Sequence, residues 1–216
     1  MAALTHPDQF DGLAPFTMAQ AAVIAGVPRK MVDQYVERDL PKLDADDLIV
    51  GRAGHRTIGR RGLYALRLCH ELMDAFVPEV RLECIASALA HPGRKTVHIR
   101  DGKITVEVAG AFKAVTAGLK AYAATAALVH SDPEILGGEP CLKGTRVSVY
   151  LVHDLLTEAG LAEVKAALPQ LSERQIAAAD AYAQLNPRKG RPRSVASVLK
   201  AAKPRTSQTV TIREQI

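Results

Sequence analysis

The sequence predicts a mainly α-helical chain with one small β-hairpin, folded as two units and followed by a disordered basic tail. Three observations lead there. Aromatic residues make up only 4% of the chain, tryptophan is absent, and alanine and leucine dominate, which favours helix packing over facing sheets. Two capping boxes, Thr17 with Gln20 and Ser172 with Gln175, mark helix starts at opposite ends of the chain. Between them, residues 96–108 alternate apolar and polar around Asp101 and Gly102, the period of a strand pair. At 216 residues and 48% hydrophobic content, the chain can bury one good core or two small ones.

Residues 1–15, with Pro7, Gly12 and Pro15, form a lead-in. A first helix starts at Thr17 and stops at Gly26; a second begins at Pro28, turns Met31, Val32, Tyr35 and Val36 inward, and is closed by Pro41. Two short helices across so tight a turn read as a helix-turn-helix. From Leu48 to Ile58, Gly51 and Gly54 bracket a turn between short extended pieces. This stretch and its continuation carry Arg52, Arg56, Arg60 and Arg61, with no acid between residues 48 and 62, and so read as a basic wing. Two helices follow, Leu63 to Phe76 and Val80 to Leu89, separated at Pro78. In the hairpin, a turn at Asp101-Gly102 pairs Ile99 with Ile104 and Val97 with Val106, placing the apolar residues on one face. A helix carrying Phe112, Val115, Leu119 and Tyr122 completes a first unit, residues 1–129.

The second unit, residues 130–186, opens with an irregular stretch. Pro133 and Pro140 remove backbone donors, while Gly137, Gly138 and Gly144 permit positive φ, so residues 130–146 form a loop with prescribed bends. Gly137, Gly138, Pro140, Gly144, Thr145 and Arg146 are assigned to this structural loop. A second reading makes the glycines an anion cradle at a helix start, with Thr145 and Arg146 assisting. Arg146 either ties the loop to the helices or reaches a phosphate. Helical spacing from Val147 runs to Gly160, a second pattern runs from Leu161 to Leu168, and Ser172 opens a third helix with Leu171 placed to staple against Ile176.

Charge separates the tail from the rest. Residues 187–216 hold eight basic residues against Glu214 alone, a net +7, whereas the whole chain carries +5, so residues 1–186 sum to −2. Three prolines and few large apolar residues predict disorder in the free protein. Yet Val195, Val198 and Leu199 recur at helical spacing, and Thr209 to Ile212 is a β-prone run able to add to a partner's sheet edge. A tail that binds nucleic acid nonspecifically through its charge is the alternative.

Other functions have little support. The seven histidines are scattered with no zinc-binding helix pattern, and no nucleophile elbow or phosphate loop occurs. The three cysteines have no close pair, which predicts reduced core thiols rather than a disulfide framework. No enzyme activity, metal or cofactor is expected. With no apolar run of bilayer length and no signal-like amino terminus, the expectation is a cytoplasmic protein without a membrane partner.

Two resemblances sharpen this picture. Asp-Pro-Glu-Ile-Leu-Gly-Gly-x-Pro, then Lys-Gly-Thr-Arg-Val, a Leu-rich helix and Leu-Pro-x-Leu-Ser, over residues 130–184, resemble the domain of unknown function 433 family. That resemblance implies an antitoxin of VapB type, paired with a PIN-domain ribonuclease toxin. The order from Phe16 through Arg61 into a Leu-rich helix is similar to the DNA-binding domain of the MerR family. It implies a winged helix-turn-helix with Arg29, Lys30 and Tyr35 on the recognition helix and Arg52 and Arg56 on the wing. Arginines there pair with phosphates while the helix reads base edges of double-stranded operator DNA, and two half-sites call for a homodimer. The expected function is then a type II antitoxin that represses its own operon and neutralises its toxin through the tail. Val195, Val198, Leu199, Val210 and Ile212 would anchor that tail, and Arg205 or Arg213 would enter the toxin's carboxylate site. The alternative is a stand-alone MerR-like transcription regulator with no toxin partner.

Overall fold

Thr17 begins the first helix, α1 (Met18–Ala25), as its capping box predicts: its hydroxyl accepts from the Gln20 amide, and its own amide donates back to Gln20 Oε1 at 2.8 Å. Gly26 ends it at φ 62°, in the left-handed region that glycine enters without strain. Arg67 reaches over to donate to the Ala25 and Gly26 carbonyls at 3.4 and 3.1 Å, a cation at the negative end of the helix dipole. After Val27 and Pro28 comes α2 (Arg29–Arg38), which buries Val32, Tyr35 and Val36. A 3-10 turn at Leu40–Lys42 follows, with Pro41 inside it. The computed structural model describes residues 15–43, 47–51 and 56–188.

A small sheet closes the next segment. β1 (Ile49–Val50) pairs antiparallel with β2 (Thr57–Ile58), and Phe16 pairs with Ile58 through hydrogen bonds of 2.9 and 2.7 Å. The helix after it, α3 (Arg60–Glu71), starts and ends earlier than its apolar spacing predicts. Arg60 and Arg61, expected on the wing, instead form its first turn. The reason is local packing: Gly59 caps the helix in an extended conformation, and a Cβ at Gly62 would lie 2.2 Å from the Leu48 carbonyl oxygen, so the helix start is pressed against the chain entering β1. α4 (Pro78–Ala90) follows, with proline at its first position.

The hairpin has the predicted register. β3 (Thr96–Ile99) and β4 (Ile104–Glu107) pair Val97 with Val106 and Ile99 with Ile104, and Val97, Ile99 and Val106 are buried. Asp101 and Gly102 take φ of 52° and 80°, the positive values a tight hairpin turn needs. The hairpin lies on α4, to which it is tied by the Arg100 amide donating to Glu83 Oε1 at 2.7 Å. α5 (Ala109–Ala126) then crosses α1 so closely that a Cβ at Gly118 would sit 2.1 Å from the Ile24 carbonyl oxygen.

Beyond α5, β5 (Val129–His130) pairs with β6 (Cys141–Leu142) and encloses the glycine-rich loop. α6 (Val149–Ala167) is interrupted at Gly160, whose φ of 82° and ψ of 175° are not helical, so two helical pieces follow one another as the spacing predicts. α7 (Glu173–Leu185) starts with the second capping box. The molecule is therefore mainly helical with small antiparallel strand pairs. Two apolar cores result. One gathers α1 to α5, and the other gathers Val129, Leu142, Val149, Val152, Leu155, Val164, Leu171, Ile176 and Ala179. Leu185 at the end of α7 belongs to the first core, and α7 packs on both α5 and α1. No helix among the described residues is long and apolar enough to cross a membrane.

All three cysteines are buried and free. Burial pushes the Cys69 thiol up to about 12 and the Cys84 thiol up to about 11. Two outcomes follow. In the native protein these thiols should react with Ellman's reagent far more slowly than in urea-unfolded chain. And because the folded thiols hold protons that unfolded thiols release above about pH 8.5, stability should fall as pH rises past that point. Rapid native labelling of Cys69 would contradict its burial.

Candidate functional site

Helix α2 places its apolar residues on α1 and α3, which leaves Arg29, Lys30, Asp33, Glu37 and Arg38 exposed. Arg29 pairs with Asp33 one turn on, so part of the positive charge is already compensated along the helix. Lys30 has no partner among the described residues. Tyr35 is corrected. It is 1% exposed, its hydroxyl donates to Met73 Sδ at 3.2 Å and lies 3.5 Å from His70 Nδ1, and burial pushes its phenol upward. A side chain so held belongs to the core and is out of reach of a DNA groove. Its place on the inward face was legible in the helical period, which the family resemblance overrode.

Arg56 is exposed just before β2, and Arg61 binds Asp47 at 3.0 Å, so this acid from outside the acid-free stretch neutralises part of it. Arg60 sits beside it in the first turn of α3. Arg52 lies outside the described residues, as do Val195, Val198, Leu199, Arg205, Val210, Ile212 and Arg213.

The glycine-rich loop is built by its backbone. Gly137, Gly138 and Gly144 take φ of 65°, 85° and 75°, and no atom crowds the space a Cβ would fill at Gly137 or Gly144, so positive φ alone demands glycine there. Thr145 is structural: its hydroxyl donates to the Leu142 carbonyl at 2.9 Å and accepts from the Val147 amide at 3.1 Å. The Pro140 carbonyl accepts from the Val149 amide at 3.0 Å, locking the loop to the start of α6. Arg146 is exposed and has no partner among the described residues, so it does not tie the loop to the helices.

The tie is made by residues the sequence did not single out. Glu139, the unspecified position between Gly138 and Pro140, accepts from the Ser148 hydroxyl at 2.8 Å and from Arg188. Arg188 also stands 4.8 Å from the Tyr150 ring centre, and the Tyr150 hydroxyl donates to the Asn186 carbonyl at 2.8 Å. Asn186 Oδ1 accepts from Gln20 Nε2 at 2.8 Å, the same glutamine that caps α1. One polar chain thus runs from the α1 cap through the end of α7 to the loop. Arg188 was expected to lie in the tail, and its contacts with Glu139, 49 residues away, and with the Tyr150 ring show it to be part of the folded body. A second side-chain pair, His153 Nδ1 with Asp180 Oδ1 at 2.7 Å, joins α6 to α7. Among the described residues no group of three or more potential metal ligands is present.

The loop, α6 and α7 together decide the comparison with known families. Residues 129–183 match the family model described as protein of unknown function (DUF433). The DUF433 segment therefore runs from β5 nearly to the end of α7 and leaves the amino-terminal helices and the tail outside it. Uncharacterized protein y4eO of Sinorhizobium fredii is 35% identical over 91 residues, which is 42% of this chain and 41% of that protein. The chain spans less than half the length of that relative. No solved structure matches the chain.

Proposed function

We propose that the chain is a cytoplasmic antitoxin of a type II toxin–antitoxin pair. In this reading α1 to α3 and the small sheet act as a MerR-like winged helix-turn-helix on operator DNA, as a homodimer on two half-sites. The tail neutralises a PIN-domain ribonuclease.

The observation that carries the DNA half is the packing of α2. Its apolar face is seated on α1 and α3, the turn before it is fixed by Gly26 and Arg67, and its start presents Arg29 and Lys30 to solvent with Arg56 exposed elsewhere on the same unit. Such a helix is positioned by its neighbours and free to enter a groove. The antitoxin half rests on the antitoxin type that the resemblance over residues 130–184 implies, and on the apolar and basic residues of the tail sequence, Val195, Val198, Leu199, Arg205 and Arg213 among them.

Two measurements test the halves separately. Co-purification with the PIN-type protein encoded beside this chain should succeed with the full chain and fail when residues 189–216 are deleted, a truncation that leaves Arg188 and its clasp in place. If both forms fail, the toxin partner is wrong and the protein stands as a DNA-binding regulator alone. For DNA, Lys30→Ala should weaken binding about equally across sequences at low salt and lower the salt slope by about one unit. An unchanged slope removes α2 from the interface.

A further inference from the structure

Asn186, the residue that ends α7, divides its hydrogen bonds between the two units. Its Oδ1 accepts from Gln20 Nε2 on α1 at 2.8 Å, and its carbonyl accepts from the Tyr150 hydroxyl on α6 at 2.8 Å. The amide is held from turning over, because its Nδ2 donates to the Tyr182 carbonyl at 3.1 Å. Gln20 is divided in the same way: Oε1 accepts from the Thr17 amide in the α1 cap, and Nε2 goes to Asn186. At the far end, Arg188 pairs with Glu139 and stands over the Tyr150 ring. Glu139 also accepts from the hydroxyl of Ser148, the residue that caps α6.

Each member of this chain is thus oriented by the one before it. In such a network the loss of one link weakens its neighbours, and an effect can travel between groups that do not meet. Glu139 and Gln20 are such groups: no hydrogen bond joins them among the described residues, and Arg188, Tyr150 and Asn186 stand between them. The units also share an apolar joint, Leu185, which belongs to the core of the first unit. That joint holds α7 in place, but it touches neither the loop's polar groups nor the α1 cap through a hydrogen bond.

We infer that the DUF433 loop and the first turn of α1 are conformationally coupled through the end of α7, with Glu139 and Gln20 as the two terminal positioning residues. Whatever draws Glu139 or Arg188 out of their pair loosens the α1 cap, and α1 carries the Gly26 turn from which α2 departs. The DUF433 unit is in this way a control element for the first unit. The coupling rests on contacts within one chain, so it is independent of the function proposed above.

The experiment is amide hydrogen exchange of the full chain followed by NMR. It reads the Thr17, Gln20 and Ala21 amides of the α1 start, with β3 and β4 as a reference that takes no part in the chain. Glu139→Ala and Arg188→Ala should each lower protection at the α1 start about fivefold or more, the lower end of ordinary coupling between sites, and leave the hairpin unchanged. The double variant should do no more than either alone, since both remove the same pair. Coupling is reciprocal, so a change at α1 must reach the loop. Gln20→Glu supplies that change: a carboxylate oxygen still accepts from the Thr17 amide, and only the donor to Asn186 is lost. Protection of the Val149 amide, which donates to the Pro140 carbonyl at 3.0 Å, and of the Leu142 amide, which donates to the Val147 carbonyl at 3.0 Å, should then fall by a similar factor. Unchanged protection at α1 in the first two variants, an equal loss in the hairpin, or a Gln20→Glu effect that stops at α1 would each overturn the coupling and leave Leu185 as the joint between the units.

Discussion

Asp39→Asn is expected to lower the free energy of unfolding by about 3–5 kcal/mol, the usual loss when one partner of a buried ion pair is removed. Arg81 Nη2 donates to Asp39 Oδ1 at 3.1 Å, and the two side chains are only 9% and 6% exposed. Asparagine keeps the shape and one acceptor oxygen. It takes away the charge that makes a buried guanidinium tolerable, and Arg81 Nε already lacks a partner among the described residues. Replacing both members by apolar residues, Asp39→Leu with Arg81→Met, should recover most of the loss, because no buried charge remains. Urea unfolding followed by circular dichroism reads both effects. A shift below about 1 kcal/mol for Asp39→Asn would mean that water reaches the pair. The consequence extends to the proposed DNA surface: Asp39 directly follows α2, and Arg81 on α4 is what anchors that end.

How much of this was legible in the sequence depends on the range of the interaction. The capping boxes at Thr17 and Ser172, the break at Gly160 and the register of the hairpin all rest on residues a few positions apart, and all appear where the spacing put them. Loop glycines were legible for the same reason, since positive φ is a property of one residue. The contacts that join distant segments were not. Asp39 with Arg81 spans 42 residues and Glu139 with Arg188 spans 49, and nothing in either local pattern selects the partner. Arg61 shows the same limit in charge: an acid-free stretch looked wholly basic until folding brought Asp47 beside it. Tyr35 is the instructive case. Periodicity turned it inward and resemblance turned it outward, and the packing of α2 against His70 and Met73 decides for the core.

Gly118→Ala and Gly110→Ala are the same substitution in the same helix and should have opposite signs. Alanine is better than glycine in a helix by about 1 kcal/mol, so at Gly110, where a Cβ meets nothing within 4 Å, the change should stabilise by roughly 0.4–1 kcal/mol. At Gly118 the new methyl would stand 2.1 Å from the Ile24 carbonyl oxygen and 2.9 Å from its carbon. Backbone cannot rotate out of the way as a side-chain end can, so α1 and α5 must separate. Overpacking of that kind costs about 1–3 kcal/mol, which exceeds the propensity gain, and the net change should be destabilising. Displacement of α1 would also disturb the Gly26 turn and the start of α2, so, under the function proposed above, Gly118→Ala should weaken DNA binding where Gly110→Ala leaves it unchanged. Thermal unfolding of the two variants decides the matter. If Gly118→Ala raises the melting temperature as Gly110→Ala does, α1 and α5 do not approach as closely as this contact requires.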